Sequence, residues 1–591
     1  MADTLTDMKV DRALIDPNFD GYKLSLDAIP VYTSNIEFDL DEVKLTSGQY
    51  SLQHLKAFGI HNHLFQDPWA TNTVYFVNSR WDIVKFVANN ASSLNKGEPV
   101  LRLPDADQQR SKSGRHNVSL HFPSPDVLTV ADGAGRLYVV RTGDRKLDQE
   151  WKVVFRHEIE GQNFQVVHSL LSAEGCHMLE VALLYVEERD MAFEEAQEIK
   201  GGDFVSVLEW LTLTFAAETN VWELTRVRRL EGKSAPDFLT LEQHGRGMIV
   251  GSEKHFTFVY DSVKPVDKAE VKESARAKGE DKKAPAYTWF QSMEDLTVHF
   301  TLPENTNKKD LDAALSHNYI KIRLQSQVLL EGNFQQNIDI EGSAWYIEGR
   351  RLELQLCKKD PAMWSAVVSG DDRGEMVVDP ATAQEIHQRL EHLTSDTLNA
   401  DPDRSEKPFN SQQLEECDTF PEETSAMLRF DGDTHQSTHL VDLSSHQWLF
   451  NTALHSDQMP AVCLRHDVDG LLWQPKANYE KKECPLLHIG TFNALGYVQA
   501  SKRDKKFAGC SPDLTFAVLC DCVRHVFVYR QPEATLSPLR NRKTGREVGA
   551  VAKQQVISLD STDPVMGLAI STDKIFVLTA KILHVIKVKE T

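Results

Sequence analysis

Several groupings in the chain have the residue types of reactive sites, and each lacks a part that its chemistry requires. Gly232-Lys233-Ser234 ends as a phosphate-binding loop ends. Such a loop needs glycine where Val227 stands, so that backbone N–H groups can close around a phosphate. Gly133-Ala134-Gly135 lacks the third glycine and the following helix of a dinucleotide site. His435 and His439, four apart, could offer two imidazoles to zinc, but Asp431-Gly432-Asp433-Thr434 reads as a turn and no zinc-protease glutamate accompanies them. Asp467-Val468-Asp469-Gly470 is short of the oxygen ligands of a calcium loop. No Gly-x-Ser-x-Gly elbow is present to raise a nucleophilic serine. Cys520 and Cys522 are the one close pair among eight cysteines, and strand alternation would put both on one face as buried thiols. The expectation is a chain with no catalytic residue, no metal, no cofactor and no small-molecule substrate.

Composition narrows the partners. Across 591 residues the formal charge is −22, which repels nucleic acid and anionic lipid. Sparse cysteines fit a reducing compartment. No apolar run approaches the roughly 20 residues of a membrane span, and Met1-Ala2-Asp3-Thr4 has no apolar run behind it that would suggest a leader. Asn90-Ala91-Ser92 and Asn117-Val118-Ser119 match the glycosylation pattern, which means little without a secretory route. The expected location is the cytoplasm, alone or together with the nucleus, with no membrane insertion. The basic run Lys502-Arg503-Asp504-Lys505-Lys506 could contact an acidic protein or RNA, but an exposed hairpin turn is the preferred reading.

Positioning elements are mostly strands. Thr73 to Val77, Val127 to Val130, Arg136 to Val140 and His255 to Tyr260 are short β-type runs, as are Gln447 to Phe450, Arg524 to Tyr529, Lys574 to Leu578 and Leu583 to Val588. Asp132-Gly133 between two such runs is a hairpin signal, and Ala569 to Val577 repeats the rhythm. About 430 residues in this style exceed one sandwich and suit a β-propeller at some 40–60 residues per blade. The expectation is a mainly β protein. Residues 1–262 and 424–591 would form one propeller-like body, with two separate β domains as the alternative. Residues 263–285 alternate lysine and glutamate with little apolar content and read as a charged flexible linker. After a boundary near Asp371, Asp379-Pro380 opens a helix lined by Ile386, Leu390 and Leu393, and a polar arm follows, so that 371–423 connect.

Between linker and helix, residues 286–370 alternate strictly: Leu296 to Leu302, Ile320 to Leu324 and Leu352 to Leu356. That pattern predicts a compact antiparallel sandwich inserted in the larger body. The order Tyr287-Thr288-Trp289-Phe290-Gln291, Asp295-Leu296-Thr297-Val298, Lys309-Asp310-Leu311, Glu331-Gly332-Asn333-Phe334, Ser343-Ala344-Trp345-Tyr346-Ile347-Glu348, Leu352 to Lys359 and Trp364 resembles the CS domain of the NudC family. Phe492 to Phe507, Cys463 to Asp469 and Gly21 to Leu26 extend a resemblance to that family over nearly the whole length. One departure stands out: the family usually has Gly-Glu-Leu where this chain has Gly332-Asn333-Phe334, which puts in doubt any contact made by that acid.

The resemblance implies a non-enzymatic co-chaperone or adaptor, similar to small partners of the ninety-kilodalton heat-shock protein. Protein clients or a heat-shock chaperone would bind the CS domain, and the propeller would select the partner. The alternative is a propeller scaffold in a cytosolic assembly such as a vesicle coat or RNA-processing machinery, with the CS domain as a docking module. Candidate contact residues are Trp289, Glu294, Asp295, Trp345, Lys358 and Lys359. For the tryptophans, Trp364 included, a core role is the preferred reading.

Overall fold

The period-two alternation legible in the sequence becomes strands from one end of the chain to the other. In the computed structural model, residues 4–589 are described except 17–18, 89–95, 148, 173–176, 190–202, 267–285, 293, 304–305, 307–309, 326, 349, 361–363, 365, 372, 377–424, 444–445, 481–482, 503, 541–544 and 546. Most of the expected linker, the helix at 379–393, the polar arm, Asn90 to Ser92, Cys176 and Cys417 therefore lie outside the described residues. The chain divides into two compact units, Met1–Ala275 with Leu393–Thr591, and Arg276–His392.

Among the described residues the larger unit consists of seven successive sheets, each with an antiparallel core of four strands, to which three of them add a fifth at the edge. In chain order they occupy residues 65–102, 119–158, 165–232, 236–252 with 426–442, 447–492, 505–558, and 565–587 with Val31–Asn35. The first strands of blades two, three and four touch in turn, as do those of blades five, six, seven and one. Apolar layers fill the spaces between neighbouring blades. Tyr75, Trp81, Leu128 and Tyr138 pack between blades one and two. Phe76, Phe86, Phe576 and Leu583 pack between seven and one, which closes the ring. This is the propeller expected from the sequence, built from both flanks. Two separate β domains are excluded, because Val31 pairs with Ile586 and Ser252 with Ala426 across the whole intervening chain.

The smaller unit interrupts blade four. Gly247–Ser252 and Ala426–Asp431 are adjacent antiparallel strands, so residues 253–425 form the excursion between the second and third strands. On its way out the chain first adds Phe256–Asp261 to the outer edge of blade three.

The segment before blade one runs along the outer edges of blades four to seven. Thr4–Thr6 lies parallel on Ser437–Asp442 of blade four. The Asp11 N–H donates to His488 Nδ1 on blade five at 3.1 Å. Tyr22–Leu24 lies parallel on blade six, and Val31–Asn35 completes blade seven. Residues 36–64 then carry a short helix, α1 (Leu52–Gly59), before the chain enters blade one at Phe65.

The Asp132-Gly133 turn joins Val127–Ala131 to Arg136–Arg141 as expected. Gly133 has φ +72°, and a Cβ there would lie 2.1 Å from the His116 carbonyl oxygen, so only glycine fits. Two local readings are corrected. Cys520 is buried, but Cys522 lies past the strand end and is exposed. There the Asp521 carboxylate accepts from the N–H groups of Val523, Arg524 and His525 and bends the chain. The basic run is no hairpin turn. It links a helix, Leu495–Ala500, to the first strand of blade six, where Lys505 and Lys506 are half-buried.

Buried histidines are expected to make the larger unit acid-sensitive. Burial pushes His63 and His116 down to about 4. Burial, aided by His466, pushes His446 down to about 3. An unfolded chain, with imidazoles near 6.5, takes up protons that the folded one refuses. Stability is therefore expected to fall as pH drops from about 6.5 toward 4, at about 1.4 kcal/mol for each tenfold difference in proton affinity. Thermal unfolding of the full chain at pH 7 and pH 5 measures this, with a clearly lower melting temperature at pH 5 expected.

Candidate protein-binding site

In the smaller unit, strands β1 (Tyr287–Gln291), β2 (Asp295–Thr301), β3 (Leu311–Leu315), β4 (Tyr319–Leu324), β5 (Gln327–Asn333), β6 (Ile338–Glu348), β7 (Arg351–Lys358) and β8 (Gly374–Met376) form a sandwich. One sheet runs β6-β7-β2-β1-β8 and the other β3-β4-β5. Alternation sends Trp289, Leu296, Val298, Phe300, Leu352, Leu354 and Leu356 inward, where they meet Ile320, Ile322, Leu330 and Trp364. Among the described residues, that core is drawn from residues 287–368.

The same alternation fixes what the five-stranded sheet shows on its other face. Register aligns Thr288, His299, Glu353 and Tyr346 in one cross-strand row, and Phe290, Thr297, Gln355 and Ala344 in the next. Asp295 and Cys357 form a third row. The first row is knitted together. His299 Nε2 lies 3.0 Å from Glu353 Oε2, and Tyr346 donates its hydroxyl proton to Glu353. Gln355 Nε2 donates to Glu353 Oε1 at 3.1 Å, and the Phe290 ring meets His299 edge-on with centroids 5.4 Å apart.

Electrostatics keep this row polar. Burial pushes Glu353 up, but hydrogen bonds from Tyr346 and Gln355 and the contact with His299 outweigh it, leaving its carboxyl below the usual range. Burial, with the Arg351 guanidinium nearby, pushes His299 down in spite of Glu353. The face thus presents a hydrogen-bonded carboxylate and an imidazole held toward its uncharged form beside an aromatic ring. Among the described residues no cluster of His, Cys, Asp or Glu could hold a metal ion. Such a surface can bind a protein by area, hydrogen bonds and aromatic contact.

The six contact candidates are distributed as follows. Trp289 is buried in the core, and Trp345 points inward against the same core, half-buried. Lys358 is buried as well: its ammonium donates to Gln291 Oε1 at 2.8 Å and to the Ser292 carbonyl at 2.6 Å, tying β7 to the β1–β2 turn. Glu294, Asp295 and Lys359 are exposed at that same end of the sheet. Asp295 accepts from Cys357 Sγ at 3.2 Å. The side chains that build the open face, His299, Tyr346, Glu353 and Gln355, were not singled out from the sequence. Their signal was present all the same, since they alternate with the strictly apolar positions.

Lys358→Met is expected to destabilise the CS unit by about 1–3 kcal/mol, because the oxygens it serves lose their donor. Urea unfolding of the unit measures the loss.

Residues 285–358 match the CS domain family. NudC domain-containing protein 1 of Mus musculus is 42% identical over 587 residues, covering 98% of this chain and 98% of its own. That of Xenopus tropicalis is 40% identical over 592 residues, covering 99% of each. The β-propeller domain of Cps50 (Swd1) from Myceliophteria thermophila aligns with a TM-score of 0.34 at 7% identity, over 90% of this chain and 97% of that one.

Proposed function

Because the chain belongs to the NudC domain-containing protein 1 family, we propose that it is a non-enzymatic co-chaperone or adaptor whose CS unit binds protein clients or a heat-shock chaperone. The propeller selects the partner. The observation that carries this reading is the open face of the five-stranded sheet. Its apolar side chains are turned inward, while Phe290 and Tyr346 stand outward among hydrogen-bonding groups. A surface of this kind holds exposed strand edges or apolar segments of a client and lowers the population that aggregates.

Two proteins test the reading: residues 286–372 alone, whose core is self-contained, and the full chain with that segment replaced by a short linker. The isolated unit is expected to suppress heat aggregation of citrate synthase or to bind a purified heat-shock chaperone, and the deleted chain is expected to do neither. A unit inert in both assays would sink the co-chaperone reading. A deleted chain that keeps all its partners would favour a propeller scaffold.

A further inference from the structure

The two edges of the five-stranded CS sheet differ. At one, the chain itself adds a strand, Gly374–Met376, parallel to Tyr287–Trp289. At the other, β6 is outermost, and among the described residues no strand pairs with its outer side. Hydrogen bonds across the sheet fix which groups that edge offers. The Leu302 N–H donates to the Arg350 carbonyl and the Lys358 N–H to the Glu294 carbonyl, each at 2.7 Å. Even-numbered residues of β7 therefore face β2, and odd-numbered ones face β6. Cys357 fits this parity, its N–H donating to Ser343 Oγ at 3.0 Å. Glu353 and Gln355 accordingly form the hydrogen-bonded pairs with Tyr346 and Ala344. Trp345 and Ile347, in the alternate pairs, turn their N–H and C=O groups outward. Edges are ordinarily guarded by charge or proline, but Gly342-Ser343-Ala344-Trp345-Tyr346-Ile347 contains neither. The side chains of Trp345 and Ile347 are half-buried at the rim of the core. An added strand would extend the sheet past them and cover them.

Backbone groups turned outward call for an extended segment, and nearby charge indicates its sequence. One row beyond Ala344 on the open face stand Asp295, Cys357 and Asp339. The hydrogen bond to Asp295, with burial and the charges of Asp295, Asp339 and Glu294, pushes the Cys357 thiol up. Three carboxylates therefore converge on this end of the edge. Around them the chain places Glu294, Asp295, Asp339, Glu341 and Asp360 against two lysines, Lys358 and Lys359. Lys358 is buried, and its ammonium donates to Gln291 and Ser292. We propose that the outer edge of β6 takes up an extended segment of a client protein as an added strand. That segment is apolar at alternate positions, beside Trp345 and Ile347, and carries lysine or arginine where it passes Asp295 and Asp339. The assignment specifies the form of the client and rests on the reading of the CS unit as a protein-binding module.

The test uses the full chain and a short fluorescent synthetic peptide in which valine and threonine alternate between paired lysines. Fluorescence anisotropy is expected to show saturable binding, at least tenfold weaker when glutamates replace the lysines. Ile347→Pro removes an outward N–H and leaves the ladder to β7 intact, and it is expected to weaken binding at least tenfold. Calorimetry checks that this variant stays folded. Asp295→Lys with Asp339→Lys, both exposed, is expected to reverse the preference between the two peptides. If Ile347→Pro unfolds the CS unit, the charge-reversed variant decides alone. Equal binding of both peptides, full binding by folded Ile347→Pro, or an unchanged preference after charge reversal overturns the proposal. So does a dimer in sedimentation that Ile347→Pro dissolves, since a second copy would then cover β6. A full chain that suppresses citrate synthase aggregation but binds no peptide overturns this proposal alone. One inert in both assays sinks the CS reading with it.

Discussion

Trp364→Ala is expected to destabilise the CS unit strongly and leave the propeller intact. Trp364 is fully buried, stacked obliquely on Phe334 at 5.9 Å, and its main chain is held on both sides by Gln291. Emptying a tryptophan site in a tight core costs about 3–5 kcal/mol. A unit of this size has only about 5–15 kcal/mol in total, so a large share of its margin is withdrawn. At about 4–8 °C per kcal/mol for a domain of this length, its melting point should drop by about 12 °C or more. The described core partners of Trp364 all lie within residues 287–368, so the propeller transition should stay where it is. Calorimetry of the full chain reads both. A joint fall of the two transitions would mean that the units share a core and would contradict the division drawn here.

Removing residues 1–35 is expected to have the larger consequence for the body. That deletion takes away the outer strand of blade seven, the added edges of blades four and six, and the buried rings of Phe19 and Tyr22. Tyr22 is packed edge-on between Phe19 and Tyr529 at 5.0 Å from each, and its hydroxyl donates to the Asn493 carbonyl at 2.7 Å. Burial of each such ring is worth about 1.5–3 kcal/mol, before the loss of the strand pairing is counted. The truncated chain should lose the propeller transition or melt far earlier, and a synthetic peptide of residues 1–35 should restore it in trans. Tyr22→Ala alone should cost about 3–5 kcal/mol. An unchanged melting point after truncation would show that the ring closes without this segment.

What could be read in the sequence follows from what is local. Strict alternation in Leu296 to Leu302 and Leu352 to Leu356 specified both the CS core and, by its complement, the open face. The Asp132-Gly133 turn was legible because a positive φ favours glycine there. Pairings between distant segments were not legible. Nothing around Val31 announces that its partner is Ile586, nor around Ser252 that blade four resumes at Ala426. Blade number and the edge path of residues 4–35 depend on such pairings. Single side chains were misplaced for a related reason. Lys358 continues an outward-looking charged pair in the sequence, but Leu352, Leu354 and Leu356 set the inward parity that it shares, and Gln291 and Ser292 supply its partners.

The central claim, that the open CS face does the binding, is tested most directly in the full chain by Ala344→Glu with Gln355→Glu. These exposed residues are cross-strand neighbours on the open face, so two carboxylates there add charge to the contact surface without entering the core. Suppression of citrate synthase aggregation is the readout, with calorimetry confirming that both transitions are unmoved. The expected result is loss of most of the suppression by a folded protein. Undiminished suppression would contradict the assignment of the binding site to this face.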